Sequence, residues 1–145
     1  MEGFRKTLMS PFVVDASVVC CWVLPDETSP IADAALHLLQ TSNAIAPDLL
    51  WHEVRNVLML AHRRKRIDFE LVSKGILILR GLTIATIPPS GDRLILTLAE
   101  RHRLTAYDAA YLALALEQQL PLATLDRELA QAAVREHVPL LAKAS

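Results

Sequence analysis

Little in this 145-residue chain supports disulfides, secretion or membrane insertion. It has only two cysteines, Cys20 and Cys21, and they are adjacent. Neighbouring cysteines rarely bridge each other, and the CxxC spacing of zinc and redox sites is missing. The pair reads as two small hydrophobes in a reducing compartment. No apolar stretch reaches transmembrane length free of charge. The first ten residues carry Glu2, Arg5 and Lys6, and the apolar run after them is interrupted by Asp15 and ended by Pro25 and Asp26, so no secretory leader is expected. The five histidines (His37, His52, His62, His102, His137) lack zinc-ligand spacing, and none is given a catalytic role. Internal repeats, low-complexity tracts and linkers are missing too. One domain over residues 1–145 and a cytoplasmic location are the expectation. Excess positive charge is also lacking: a net charge of −1 argues at first against a nucleic-acid partner.

What the chain does have is apolar content, 52% of its residues, enough for a sizeable core without staples. Short β-prone runs occur at residues 11–14, 44–46, 83–87, 122–124 and 138–141, the last restricted to a sheet edge by Pro139. Helical patterns separate most of them. Ala32, Ala35, Leu36 and Leu39 share a face after the start signals Ser29 and Pro30. Leu50, Val54, Val57, Leu58 and Ala61 form a stripe after Pro47. Phe69, Val72, Ile76 and Leu79 follow Asp68, and Leu94, Ile95, Leu98 and Ala99 follow Ser90. Residues 105–120 are apolar on every side, which marks a helix buried among neighbours. A last helix covers about residues 126–136. Parallel strands need crossover connections, and the intervening helices supply them. The fold class is therefore α/β, a parallel sheet with helices on both faces. Trp22 and Trp51 read either as aromatics lining a partner groove or, the favoured reading, as core residues beside the first sheet edge.

Four of the 16 acidic residues stand out. Asp15 directly follows the first strand, at the carboxyl edge where open α/β sheets bind ligands; it also suits a cap on residues 17–23. Glu53 sits on the shoulder of an apolar helical stripe, with Asn56 one turn later on the same side. Asp108 stands third in a capping-box pattern that opens the all-apolar helix, where its charge lies near the core. Asp126 follows a β-prone run at a helix start, with Thr124 on the same side of the extended chain. Asp26, Glu27 and Asp92 read as turn or helix-start acids. Strand ends and the helix starts after them share one sheet edge, although Asp108 follows a helix and fits less directly. Carboxylates crowded there repel one another unless cations intervene, and oxygen-only ligands favour Mg²⁺ or Mn²⁺. Withdrawing these four acids from a net −1 leaves the remainder at +3. The runs Arg63-Arg64-Lys65-Arg66 and Arg101-His102-Arg103 are then either phosphate attractors or solvated helix ends.

The blocks Val13-Val14-Asp15-Ala16-Ser17-Val18, Glu53-Val54-Arg55-Asn56-Val57-Leu58, Tyr107-Asp108-Ala109-Ala110-Tyr111-Leu112-Ala113-Leu114-Ala115 and Leu122-Ala123-Thr124-Leu125-Asp126-Arg127-Glu128-Leu129 resemble, in order and spacing, the four acidic motifs of PIN domains. The third and fourth blocks resemble the VapC toxin branch in particular. The resemblance implies a three-layer α/β/α sandwich with a central parallel sheet of order 3-2-1-4-5. It also implies a Mg²⁺- or Mn²⁺-dependent endoribonuclease leaving 5′-phosphate and 3′-hydroxyl ends. Asp15, Glu53, Asp108 and Asp126 would be the catalytic, metal-binding acids, with Asp126 ranked last. Ser17 and Thr124 would be polar supports, and Asn56 an orienter of the acids. The implied partners are RNA, a small antitoxin protein that covers the pocket, and a second copy in a homodimer, with no membrane. Alternatives are a housekeeping RNA-processing PIN nuclease and a non-catalytic PIN module. A phosphoacceptor receiver domain is a third, but it needs paired acids after the first strand and a late lysine, and Lys74 and Lys143 are poorly placed for that.

Overall fold

The computed structural model describes residues 11–141. The readings of the first ten residues and of Lys143 lie outside them. In chain order the elements are β1 (Phe12–Val14), α1 (Ala16–Cys21), α2 (Pro30–Leu38), β2 (Ala44–Pro47), α3 (Leu50–Arg63), α4 (Phe69–Arg80), β3 (Ile84–Ile87), α5 (Asp92–His102), α6 (Ala106–Gln118), β4 (Leu122–Ala123) and α7 (Arg127–Arg135). Most helix starts have a local cause. Asp15 caps α1 by accepting from the Val18 N–H, Ser29 caps α2, Asp68 caps α4, Thr105 caps α6 and Asp126 caps α7. Helix α5 begins at Asp92 rather than at Ser90, whose hydroxyl instead donates to Glu117 in α6.

All strand pairings are parallel, in the order β3-β2-β1-β4. Phe12, Val13 and Val14 are all fully buried although neighbours in a strand point to opposite faces, so both faces of β1 are covered. Helix α6 packs on β1, β2 and β4 between α5 and α7, and α1 through α4 pack on one another, with α2 reaching β4. Residues 109–115 of α6 are buried without exception, as its apolar circumference requires. No helix among the described residues is long and apolar enough to cross a membrane.

The expected fifth strand is reduced to a single parallel bridge between Leu122 and Leu140. Leu122 donates to the Pro139 carbonyl and Leu141 donates to the Leu122 carbonyl. The ladder cannot extend backwards, because Pro139 has no N–H and the Val138 N–H is spent on Ala133 at the end of α7. Both tryptophans belong to the core region: Trp51 is buried with the Arg80 guanidinium 4.1 Å from its ring centroid, and half-buried Trp22 donates to the Ala32 carbonyl. The two basic runs are partly neutralised at home. Arg66 grips Asp26 and Glu27, while Glu136 takes Arg101 and His102. Within these two runs, Arg63, Arg64, Lys65 and Arg103 stand exposed and outside those ion pairs.

Candidate active site

From β1 the chain crosses to β2 and β3 on one side of the sheet, and β4 lies on the other. The crevice between β1 and β4 at their carboxyl ends is thus the point where strand order reverses. Asp15 leaves β1 there, and Thr124 and Asp126 leave β4. Helix α3 follows β2 at the same edge and presents Glu53 in its first turn. Helix α6 precedes β4 through a short connection, so it runs antiparallel to the strand and its first turn, with Asp108, also returns to that edge. The crossover geometry resolves why an acid preceded by a helix belongs with acids preceded by strands.

Asp15 is only 5% exposed, and both of its carboxylate oxygens are hydrogen-bonded. Its Oδ1 accepts from the Ser17 hydroxyl at 2.6 Å and from the Val18 N–H at 3.2 Å, and its Oδ2 accepts from the buried Thr124 hydroxyl. Both hydroxyls work twice. Ser17 Oγ also accepts from the Leu125 N–H at 2.9 Å, and Thr124 Oγ1 from the Asp126 N–H at 3.0 Å. These bonds tie the end of β1 to the end of β4. Burial pushes the Asp15 carboxyl up to about 6; its three donors oppose that, and nearby Asp108 adds to it.

Half-buried Glu53 accepts at Oε1 from the Tyr111 hydroxyl at 2.6 Å. Burial raises its carboxyl above the ordinary range, the Tyr111 bond opposes this, and Asp108 and Asp15 raise it further. Asp108 is raised by burial and then by the charge of Asp126. Its N–H donates to Thr105, the first half of the capping box. Asp15, Glu53 and Asp108 therefore repel one another in one neighbourhood, and exposed Asp126 joins them at the rim through Asp108. Asn56 is exposed on the Glu53 side of α3 and has no hydrogen-bond partner among the described residues; with Glu53, Leu49, His52 and Tyr107 it lines a groove of about 290 Å³.

Tyr111 is a neighbour of the candidate acids that sequence reasoning passed over, reading it as one more buried residue of α6. The usable signal was its place three residues after Asp108, hence on the same side, and a phenol whose hydroxyl needs a partner in an otherwise apolar helix.

The donor set facing this mouth is made of carboxylate oxygens with hydroxyl support, a set that suits a hard divalent cation. Among the described residues, no three acidic, histidine or cysteine side chains are gathered tightly enough to hold one ion as placed. They ring the mouth instead, and their mutual repulsion is what a cation relieves.

The sequence pattern of the PIN domain matches residues 12–135. The chain belongs to the PIN domain family. Ribonuclease VapC3 from Pyrobaculum aerophilum is 34% identical to this PIN domain over 122 residues, covering 82% of this chain and 92% of that protein. Among solved structures, PAE2754 from the same organism matches this PIN domain with a TM-score of 0.66 at 24% identity, over 86% of this chain and 87% of that one. VapC20 of Mycobacterium tuberculosis, a toxin that cleaves the sarcin-ricin loop, matches with a TM-score of 0.58 at 13% identity, over 83% of this chain and 94% of that one. At those identities the two structures speak for the fold alone.

Proposed function

We infer that this PIN domain is a VapC-type endoribonuclease, a hydrolase of RNA phosphodiesters that works with Mg²⁺ or Mn²⁺. The observation that carries the reading is the meeting of Asp15, Glu53 and Asp108 at the sheet's switch point in a chain 34% identical to a VapC ribonuclease. PIN nucleases are generally metal-dependent. Asp15, Glu53 and Asp108 are the residues to hold the ion, with Asp126 in a lesser role at the rim. Such an ion, when bound, lowers the pKa of water and neutralises charge developing on a phosphodiester.

The chain's own residues do the rest. Ser17 and Thr124 keep the Asp15 carboxylate from turning out of the mouth. Tyr111 ties one Glu53 oxygen and leaves the other free to ligate. Asn56, one turn on from Glu53, bonds to none of the described acids and stands exposed beside the mouth. Attack by water in line on the phosphorus breaks its bond to the 3′ oxygen, which takes up a proton, and leaves 5′-phosphate and 3′-hydroxyl ends. The same reading gives the chain a cytoplasmic place, a small antitoxin that covers the mouth, and a homodimeric state. Exposed Phe69, Leu77 and Ile78 on α4 support a protein-facing surface.

The test is cleavage of structured and unstructured RNA with Mg²⁺ or Mn²⁺, with and without chelator. Chelation and Asp108→Asn should each abolish cleavage while circular dichroism reports an intact fold. Full activity of Asp108→Asn would refute the assignment.

A further inference from the structure

The groove beside Glu53 opens between the N-terminal turns of α3 and α6, and its walls are Leu49, His52, Asn56 and Tyr107. At about 290 Å³ it lies at the small end of ligand pockets, which run to about 300–1,000 Å³, so it suits one planar ring rather than a folded ligand. Tyr107 is 63% exposed, and neither its ring nor its hydroxyl has a partner among the described residues. It precedes Asp108 directly, so this free aromatic face stands next to the acidic mouth. The rest of the wall is polar in a defined sense. Arg55 Nη2 lies 3.0 Å from His52 Nδ1. A guanidinium can only donate, so Nδ1 accepts, which leaves Nε2 as the ring's N–H. His52 thereby offers a fixed donor, and Asn56, one turn on, offers both a donor and an acceptor. A flat apolar face with mixed donors and acceptors along its side matches the face and edge of a nucleobase, which proteins read in RNA by stacking and by hydrogen bonds to unpaired edges.

We propose that Leu49, His52, Asn56 and Tyr107 form a subsite for one unpaired nucleobase adjoining the scissile phosphate, with Tyr107 as the stacking platform and His52 and Asn56 reading the base edge. The proposal rests on the ribonuclease reading. It makes that reading more specific: a base locked in a duplex cannot enter, so cleavage falls at single-stranded, looped or splayed nucleotides.

The first measurement does not depend on cleavage. In EDTA, wild-type protein is titrated into single-stranded RNA decamers that each carry one 2-aminopurine. Stacking on Tyr107 quenches the fluorescence of at least one decamer. Tyr107→Phe retains the quench, Tyr107→Ala loses it, and annealing the complement prevents it. The second measurement uses Mg²⁺ and the same decamers. Tyr107→Ala raises KM about 5- to 150-fold, the range of one base–aromatic stack, with kcat changed far less and the thermal midpoint unmoved. An abasic nucleotide beside the mapped cut raises the wild-type KM equally and adds nothing in Tyr107→Ala.

Cleavage by wild type with an unchanged KM in Tyr107→Ala overturns the subsite, as does an abasic effect that persists fully in that variant. Unchanged RNA parameters with weakened protein association would reassign the ring to a protein interface, which also overturns it. If no RNA is cut, the ribonuclease reading fails by itself, and the quench in EDTA still decides the subsite.

Discussion

Replacing Asp15 with asparagine should make the metal-free protein more stable while destroying its function. Asp15 is 5% exposed, and its carboxyl is raised from 3.8 to about 6 by burial. One pKa unit corresponds to about 1.36 kcal/mol, so holding Asp15 ionised in the fold costs about 3 kcal/mol at neutral pH. Between pH 3.8 and about 6 the folded state keeps a proton that the unfolded chain releases. Stability from this group is therefore greatest below 3.8, falls as pH rises through that window, and stays low above it. An asparagine in its place cannot ionise. The carbonyl oxygen of the amide still accepts from Ser17 and Val18, and its NH₂ donates towards Thr124 where the carboxylate accepted. At pH 7.5 in EDTA, Asp15→Asn should gain about 1–3 kcal/mol, or roughly 3–10 °C in Tm for a domain of this size. Urea unfolding from pH 4.5 to 8 should show the gap between the two proteins widening as pH rises and levelling off above about 6. Adding Mn²⁺ should stabilise the wild type and leave the variant unmoved, because only a state that binds the ion gains from it. A wild type as stable as Asp15→Asn at pH 7.5 in EDTA would refute the reasoning, and so would a gap that does not change with pH.

Two further substitutions probe the supports. Tyr111→Phe removes only the hydroxyl that holds Glu53 at 2.6 Å; Mn²⁺ affinity measured by calorimetry should weaken about 10-fold or more with the fold intact, as is usual for groups that orient ligands. Thr124→Val keeps the shape but removes the donor to Asp15 and the acceptor for the Asp126 N–H. It should lose about 1–3 kcal/mol in urea unfolding and move the acid limb of the pH–activity profile upward, whereas Thr124→Ser should leave that limb in place.

Much of the frame was legible because it is written in short-range patterns. Asp15 and Asp126 stood out by following β-prone runs, Glu53 by sitting off an apolar stripe, and Asp108 by opening a helix with no polar face. Each of those signals spans a few residues. The strand at residues 83–87 and the buried helix at residues 105–120 came from the same kind of periodicity. The fifth strand was misjudged for the opposite reason. Whether residues 138–141 form a ladder depends on the Val138 N–H, and α7 takes that group through a contact local propensity does not foresee.

The sequence alone determined the α/β class, the order of the elements and which acids are the candidates, since these follow from residue type and from spacings of two to four. Only the folded chain decided which side chains serve those acids. Tyr111 reaches Glu53 across 58 positions and Thr124 reaches Asp15 across 109. Arg66, whose run reads either as a phosphate attractor or as a solvated helix end, is claimed by Asp26 and Glu27 from about 40 positions away. Such partnerships depend on the register of β1 against β4 and on how α6 lies across the sheet. Those are set by the packing of the whole core at once, and no window of neighbouring residues contains them.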